Sequence, residues 1–368
     1  MKFTVVREEL LKPLQLVSGV VERRQTRPIL ANLLMVLTDD NVLSLTGTDE
    51  EIEILVKLKV SLVNEVGEIT VSARKLVDIC RSLPEHQKIN FFIKDQTLIL
   101  KSGRSRFNLS TLPASDFPAT ENIDSDLRFS ASQSTIKELI NSTAFCMAQQ
   151  DVRYFLNGML WEVENDTLRC VATDGHRLAM SSKSLNVNFP DKHQIILPRK
   201  GVTELSRLLD YKDEDVLFTL SNRYFRVETE EYTLTSKIME GKFPDYEKVI
   251  PTNGKNIAIG DREELKQAFL RAAILSNEKH LGVRLVFSPH LLTIVSNNIE
   301  QEEAEETVAV EYEDEEIEIG FNIGYLQDVT SVIANERIKI TLSDSNSSVL
   351  LEDPDNSDVL YVIMPMRL

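Results

Sequence analysis

Three related stretches decide the fold: LSLTGTD at residues 43–49, LRCVATD at 168–174 and LTIVSNN at 292–298. Each begins with alternating apolar and polar residues, as a half-buried strand does, and ends in a polar turn. The three stretches lie 125 and then 124 positions apart. A fixed period of this kind predicts a chain built from three copies of one structural unit.

Two further sets of segments repeat in the same register. They are ITVSARK at 69–75 with QIILPRK at 194–200 and, more weakly, EIGFNIG at 318–324, and LSTL at 109–112 with LTSK at 234–237. Three anchors that share one period predict three tandem domains, which we place at residues 1–122, 128–250 and 252–368. Connectors near Phe117 and Pro251 separate them.

Each repeat should contain two amphipathic helices among its strands, because apolar residues recur at helical spacing twice in every copy. The apolar positions of these helices are Leu10, Leu14 and Val17; Leu76, Val77, Cys80 and Leu83; Ile136, Leu139, Ile140 and Met147; Val202, Leu205 and Leu209; Leu265, Ala268, Phe269 and Ala272; and Leu326, Val329 and Ile333. Helices that cover one face of antiparallel strands define the α+β class.

The composition is that of a folded globular chain. Of 368 residues, 42% are hydrophobic and 27% are charged, and the longest apolar run, 33–37, is far shorter than the roughly 20 residues of a membrane helix. No signal-peptide pattern is present, so we expect a cytoplasmic protein. The spacings of Cys80, Cys146 and Cys170 fit neither a disulfide framework nor a zinc site, and we expect buried free thiols.

The formal net charge of −17 argues against a protein that binds nucleic acid over its whole surface. A local positive surface stays open, because the local field decides binding. Arg74 and Lys75, on the second helix of the first repeat, match Arg199 and Lys200 in the second repeat. These cations form either an ordinary solvated helix face or a binding surface, and their recurrence at equivalent positions favours the binding surface.

Carboxylates concentrate in two runs, at residues 300–306 and 311–316. Such a run is usually a solvated loop or helix face. The competing interpretation pairs the run with the segment 104–107 of a second chain, which carries two arginines.

A catalytic constellation is missing from the sequence. The segment Asp174-Gly175-His176-Arg177 has acid–base side chains, but no nucleophile elbow, Walker loop, His-Glu-x-x-His motif or Cys/His cluster accompanies it. None of the five histidines lies at metal-ligand spacing. We therefore expect a protein that is not an enzyme and that has no catalytic residue, metal or cofactor.

Several longer motifs resemble those of one known family. They are MKFTV at 1–5, GRSRF at 103–107, QDVRY at 150–154, ATDGHRL at 172–178, KFPDY at 242–246, AILSNEK at 273–279 and MPMRL at 364–368. With these motifs the chain resembles, from end to end, the bacterial replicative sliding clamps, which are the beta subunits of DNA polymerase III. The resemblance implies three domains of the DNA clamp fold and a head-to-tail homodimeric ring around duplex DNA. Such a ring is a processivity factor, because it tethers a polymerase to its template.

The resemblance also implies two binding surfaces. The DNA-contacting positions of the family fall on Arg24, Arg74, Gln150, Tyr154, Phe155, Arg199 and Lys200. Its pocket for partner peptides falls on Leu156, Thr173, Gly175, His176, Arg177, Leu178, Pro244, Val249, Ser348, Val362, Met364, Pro365 and Met366. Phe155 and Lys248 stand where the family commonly has Tyr and Arg.

The implied partners are a second copy of the chain and duplex or primed DNA of any sequence. Short peptide motifs of the DNA polymerase III alpha subunit, the clamp loader, other DNA polymerases and repair proteins would bind the pocket. No membrane partner is implied.

The dimer interface should join an arginine-bearing segment to the acidic run. We expect Arg104 and Arg106 of one chain to face Glu300, Glu302, Glu303, Glu305 and Glu306 of the other, around an apolar centre of Phe107, Leu109, Ile274 and Leu275. Apolar burial would supply the affinity, and the ion pairs would mainly orient the contact.

A geometric argument supports two chains per ring. Six helices of about 10 Å each would line a hole on the order of 19 Å, too narrow for a B-form duplex, whereas twelve would line roughly 38 Å. The dimer is therefore the smallest ring that admits DNA. The alternative is a scaffold that binds peptides without encircling DNA, and the repeated cations on helices argue against it.

Overall fold

The computed structural model describes residues 1–21, 27–118, 120, 127–252, 254–277 and 280–367. The helices of this part of the chain are α1 (Arg7–Ser18), α2 (Ala73–Ser82), α3 (Gln133–Thr143), α4 (Arg199–Leu208), α5 (Arg262–Ala273) and α6 (Ile323–Val332). Its strands are β1 (Lys2–Val6), β2 (Asn32–Leu37), β3 (Val42–Thr48), β4 (Ile52–Lys59), β5 (Ser61–Glu65), β6 (Gly67–Ser72), β7 (Lys88–Lys94), β8 (Thr97–Ser102), β9 (Ser105–Leu112), β10 (Leu127–Ser132), β11 (Gly158–Thr173), β12 (Arg177–Pro198), β13 (Asp215–Leu220), β14 (Tyr224–Glu228), β15 (Tyr232–Lys237), β16 (Asn256–Asp261), β17 (Gly282–Ser288), β18 (Leu291–Asn297), β19 (Glu303–Glu311), β20 (Ile317–Asn322), β21 (Arg337–Leu342), β22 (Val349–Asp353) and β23 (Asn356–Ile363).

The predicted amphipathic helices are confirmed. Every apolar position named for them is buried, because each helix lays one stripe against its sheet. Two helices of the third repeat begin at a capping side chain: Asp261 accepts a hydrogen bond from the Glu264 amide at 2.8 Å, and Asn322 accepts one from the Gly324 amide at 2.9 Å. All three cysteines are buried thiols.

The chain folds as two compact units, and each contains a joint between consecutive repeats. Unit 1 comprises residues 1–134 and 203–238. Its strands follow the order β10-β13-β14-β15-β4-β3-β2-β6-β9-β8-β7-β1-β5, and every pairing in it is antiparallel. The joint between the first and second repeats is the β4–β15 pair, in which Ile54 lies opposite Leu234.

Unit 2 comprises residues 135–202 and 239–368. Its strand order is β11-β12-β23-β22-β21-β16-β19-β18-β17-β20. The joint between the second and third repeats is the β12–β23 pair, in which Leu178 lies opposite Val362. The same antiparallel pairing therefore joins consecutive repeats in both units.

The acidic run at 300–306 differs from the expectation. Of the two interpretations, the solvated loop or helix face was wrong for residues from Glu303 onward, which belong to strand β19, while the contact with a second chain stays a prediction. Within that strand Val308 and Val310 are buried while Glu303 and Glu305 are exposed, so the carboxylates occupy the outer face of a half-buried strand. The second run, at 311–316, lies mostly in the connection from β19 to β20.

Among the described residues, no helix has the length and apolar character needed to cross a bilayer.

Candidate functional site

Unit 2 contains a small, mainly apolar cavity of about 210 Å³ beside the joint between its repeats. Its lining residues are Arg153, Phe155, Leu156, Thr173, Gly175, Arg177, Leu178, Pro244, Tyr246, Val249, Val362 and Met364. They come from the turn between β11 and β12, from the short 3₁₀ helices Tyr154–Asn157 and Tyr246–Val249, and from the end of β23. The volume is below the roughly 300–1,000 Å³ of a typical small-molecule site, so it fits a few apolar side chains.

The turn between β11 and β12 is fixed by its own side chains. The Asp174 carboxylate accepts hydrogen bonds from the amides of His176 at 2.9 Å and Arg177 at 3.0 Å. The Thr173 hydroxyl donates to the Arg177 carbonyl at 2.6 Å and accepts from the Gly175 amide at 3.1 Å. Gly175 has φ +88°, a conformation that favours glycine. The cavity therefore has one rigid wall, and Asp174 and His176 belong to a structural turn.

Every nitrogen of the Arg177 guanidinium is bonded to another residue of the chain. Its Nε donates to the Asp174 carboxylate at 3.1 Å, its Nη1 pairs with Asp328, and its Nη2 donates to the Phe145 carbonyl at 2.9 Å. The guanidinium lies 5.2 Å from the centroid of the Phe145 ring and 4.4 Å from that of Tyr325. Arg177 therefore braces the wall of the cavity, with each of its nitrogens already bonded.

Arg153 closes one side of the cavity from an exposed position. It forms an ion pair with Asp151 at 2.9 Å and donates to the Asp174 carbonyl at 3.2 Å. The hydrogen bonds from Arg153 lower the pKa of Asp151 to about 2, so this carboxylate is ionised at neutral pH. A Cβ atom at Gly175 would lie 2.8 Å from Arg153 Nη2, which makes the small residue necessary for this contact.

The floor of the cavity is part of a buried apolar cluster. Its members are Leu160, Val171, Leu178, Ile196, Phe243, Tyr246, Leu350 and Val362. Because these residues come from five segments of unit 2, in both the second and the third repeat, the cavity exists only after the two repeats have joined. Lys248, which precedes the lining residue Val249, forms an ion pair with Asp245 at 2.7 Å.

The structure brings together nine of the thirteen residues predicted for the pocket. His176, Ser348, Pro365 and Met366 are not among the lining residues. The backbone of Met366 instead donates to the Gly320 carbonyl at 2.7 Å. Sequence reasoning left Arg153, Phe155 and Tyr246 out of the pocket, although Arg153 and Tyr246 lie in the QDVRY and KFPDY motifs.

The residues predicted to contact DNA lie in three separate places, and Arg24 is outside the described residues. Arg74 is exposed on α2, 3.7 Å from Asp78. Arg199 begins α4 and donates to the Met147 carbonyl at 3.0 Å, with Lys200 next to it. Gln150 and Tyr154 are exposed on one loop, whereas the ring of Phe155 lines the apolar cavity. The cavity wall and the exposed loop are thus parts of one segment, 150–157.

The charged residues predicted for the interface lie on or next to two strands. Arg104, Arg106, Phe107 and Leu109 belong to the β8–β9 hairpin of unit 1, and neither arginine forms an ion pair with another described residue. The acidic residues belong to β19 and the turn before it in unit 2. Glu306 is already paired with Arg271 at 2.6 Å, and this contact lowers its pKa.

The apolar residues expected near the acidic strand follow α5. Ile274 is 75% exposed and Leu275 is half-buried.

Comparisons with known proteins identify the class and then the family. Three models of the DNA polymerase III beta subunit match the chain: the N-terminal domain at residues 1–121, the central domain at 130–245 and the C-terminal domain at 247–367. The fold is thus three tandem DNA clamp domains, as predicted. The chain belongs to the DNA polymerase III beta subunit family.

Relatives and solved structures agree over the full length. The Beta sliding clamp of Pseudomonas aeruginosa is 56% identical and that of Escherichia coli K12 is 50% identical, each covering 100% of both chains. The crystal structure of the DNA polymerase III subunit beta from Pseudomonas aeruginosa has a TM-score of 0.98 at 55% identity, with 100% of both chains covered. Caulobacter crescentus pol III beta has a TM-score of 0.94 at 38% identity and the same coverage.

Proposed function

We propose that this protein is a DNA polymerase processivity factor: a homodimeric sliding clamp that encircles duplex DNA and tethers polymerases through the cavity of unit 2. Membership of the DNA polymerase III beta subunit family supports this function along the whole chain. The alternative, a peptide-binding scaffold without DNA encirclement, is not favoured, because sliding clamps match all three domains.

Ring closure is supported by two strand edges that are free among the described residues. Both joints inside the chain are antiparallel strand pairs, β4 with β15 and β12 with β23. In β9, residues 105–110 pair with β8 on one side only, and in β19, residues 303–309 pair with β18 on one side only. By their place in the repeat, β9 corresponds to β15 and β19 to β4. The free edges are therefore the two halves of a third joint, which a head-to-tail dimer completes.

Charge and apolar exposure favour the same contact. The β9 edge carries Arg104 and Arg106, and the β19 segment carries Glu300, Glu302, Glu303 and Glu305. Opposite charges orient the strands, while Phe107, Ile274 and Leu275 supply the apolar area on which affinity depends. Glu306 is less available, because Arg271 already binds it.

The DNA surface would consist of scattered cations in the hole. Arg24, Arg74, Arg199 and Lys200 would contact phosphates without reading sequence, and Gln150 and Tyr154 would extend from their exposed loop. Phe155 would act in the pocket, because its ring lies there. A surface with few cations binds DNA loosely enough to slide.

The chemistry of the cavity favours a short peptide with apolar side chains. Leu178, Val249, Val362 and Met364 present apolar surface, and the flexible methionine can adapt to different peptides. Polymerases, the clamp loader and repair proteins would compete for this one site. The Asp174–Arg177 turn holds its own side chains in hydrogen bonds, which fits a protein that is not an enzyme. The three clamp domains would span residues 1–122, 128–250 and 252–368, and the protein would act in the cytoplasm.

The topology of DNA tests the proposed function. A ring loaded on a nicked circular plasmid by its clamp loader should stay bound through gel filtration at high salt and should slide off once the plasmid is cut to a linear form. The double variant Ile274→Ala with Leu275→Ala should sediment as a monomer and should not stay on the circle. Retention that depends on salt but not on DNA topology would show ordinary DNA binding and refute encirclement.

A further inference from the structure

A buried polar network lies behind one wall of the cavity. Tyr246 lines the cavity with its ring and is 4% exposed. Its hydroxyl donates to the Glu162 carboxylate at 3.0 Å and accepts a hydrogen bond from Arg169 Nη1 at 2.9 Å. The ring that touches the cavity is therefore anchored at its far end by a charged pair.

Glu162 is the centre of this network. It is 1% exposed and binds Arg169 Nη1 at 2.6 Å, Lys192 Nζ at 2.9 Å and Gln194 Nε2 at 2.6 Å, in addition to the Tyr246 hydroxyl. Burial alone would raise the pKa of Glu162, but the hydrogen bonds from Lys192, Gln194 and Tyr246 outweigh it and lower the pKa. The carboxylate is thus ionised, and its buried charge is compensated by four donors.

The fold itself does not require these charges, as the other repeats show. Equivalent strand pairings put Asn32 opposite Ser72, Gly158 opposite Pro198 and Gly282 opposite Asn322. Counted from these pairs and from the shared turns, the counterparts of Glu162 and Arg169 are Val36 with Ser44 in the first repeat and Val286 with Thr293 in the third.

Both counterpart pairs lie directly opposite each other in their sheets. A neutral pair therefore serves this position in two repeats. The charged pair of Glu162 and Arg169 occurs only in the repeat whose strands carry the apolar cavity. Its role is therefore connected with the cavity and not with the stability of the sheet.

We propose that Glu162 is a positioning residue of the peptide pocket: together with Arg169 it holds the Tyr246 hydroxyl, and so fixes the Tyr246 ring as a wall against which an apolar peptide side chain packs. This inference rests on the proposed function of the cavity. An anchored ring loses little conformational entropy when a peptide binds, so the network preorganises the site. Glu162 itself does not touch the peptide.

Peptide binding by three variants tests the proposal. Fluorescein-labelled peptides that tile the DNA polymerase III alpha subunit of the same bacterium are titrated against the wild-type dimer, and the tightest binder becomes the probe. Tyr246→Phe and Glu162→Gln should each weaken its binding roughly fivefold to tenfold, as expected for losing a hydrogen bond to a charged group. The combined variant should bind no more weakly than either single variant, because both changes break one anchor.

Two further variants separate positioning from folding. Glu162→Val with Arg169→Thr copies the neutral pair of the third repeat and removes both charges together, so it should melt closer to wild type than Glu162→Val alone. It should still lose peptide affinity, because the Tyr246 hydroxyl has no anchor. Tyr312→Phe is the matched control. It deletes a buried hydroxyl of unit 2 that bonds to the Glu315 carbonyl and does not line the cavity, so affinity should not change.

The outcomes are distinct. Wild-type affinity in Tyr246→Phe and Glu162→Gln, with or without a lower melting temperature, overturns the positioning role. Weakened affinity in these variants with unchanged affinity in Tyr312→Phe supports it. If no peptide binds the wild-type dimer, the proposed function of the cavity fails, and this inference fails with it.

Discussion

The two units carry the same turn beside the same kind of joint, yet the cavities next to the turns differ. In unit 1, the Asp49 carboxylate accepts from the amides of Glu51 at 2.9 Å and Ile52 at 2.7 Å, and the Thr48 hydroxyl accepts from the Glu50 amide at 3.0 Å. These bonds match those of Asp174 and Thr173 in unit 2 one for one. Glu50 has φ +75°, close to the +88° of its counterpart Gly175. The backbone has therefore been repeated almost unchanged.

The side chains that line the two cavities, in contrast, differ in chemistry. The cavity of unit 1, about 400 Å³, is lined by Thr48, Glu50, Glu51, Ile52, Glu53, Pro118, Thr120, Tyr224, Thr235 and Lys237. The strand registers and the shared sequence repeat show which lining residues of the two units correspond. Glu53 corresponds to Leu178, Thr120 to Tyr246, Thr235 to Val362 and Lys237 to Met364. The Lys237 and Met364 amides even make the same backbone bond, to the carbonyls of Glu51 and His176 at 2.8 and 2.9 Å.

The joint alone therefore does not produce an apolar cavity, because unit 1 has the same joint and turn beside a polar one. Carboxylates in the cavity of unit 1 disfavour the entry of apolar side chains, since covering a carboxylate with apolar atoms removes it from water without a hydrogen-bond partner. The apolar lining of unit 2 offers the opposite environment at the same place in the repeat. The chemical character of the two cavities thus differs through a handful of substitutions on a common backbone.

The largest effect on peptide affinity is expected when one residue of the unit 1 cavity replaces its counterpart in unit 2. Leu178→Glu puts a carboxylate at a position that is 2% exposed, in the cavity floor, and should weaken peptide binding at least about a hundredfold. Fluorescence titration of a labelled partner peptide measures this. The reverse change in unit 1, Glu53→Leu, is the control and should leave affinity unchanged. Binding within threefold of wild type in Leu178→Glu would mean that the peptide occupies another surface.

A smaller effect on peptide affinity is expected at Met364, the lining residue that follows strand β23. Met364 is 38% exposed, so Met364→Lys, which copies Lys237, can direct its ammonium group to solvent while losing apolar contact. We expect affinity to fall about tenfold in the same titration. Lys237→Met, made in parallel, should leave peptide affinity at the wild-type value. An unchanged affinity in Met364→Lys would remove this residue from the binding surface.

The smallest effect is expected for Glu53, whose titration should make the stability of unit 1 depend on pH. Burial raises the pKa of Glu53, although the Thr120 hydroxyl bonds to its carboxylate at 2.6 Å. The folded state then binds this proton more tightly than the unfolded state, so the stability from this group is full at low pH. It is lost as pH rises from the ordinary glutamate pKa, about 4.3, through the raised folded value.

Glu53→Gln should therefore melt about 1–2 °C higher than wild type at pH 8 and at the same temperature near pH 4. Thermal unfolding at both pH values measures the difference. An equal gain at both pH values would show that the charge of Glu53 does not destabilise unit 1.

Residues near the pocket show how far sequence patterns reach. The family resemblance implied that Leu178, Val362 and Met364 line one pocket, and the structure places them together. The family resemblance implied a DNA contact for Phe155 as well as for its neighbour Tyr154, but Phe155 lines the cavity whereas Tyr154 is exposed. Two adjacent residues can face different surfaces, and this depends on backbone geometry that residue identity does not encode.

By itself the sequence determined the three-fold repeat, the six helices with their buried stripes and the α+β class. These features depend on local periodicity and on turn residues, which act over a few positions. The tertiary structure decided that residues from 303 onward form a strand, that Arg177 is bonded inside the chain, and that Tyr246 is anchored to Glu162. Each of these depends on contacts between segments far apart in sequence, where a side chain's burial and partners exist only once the strands have paired.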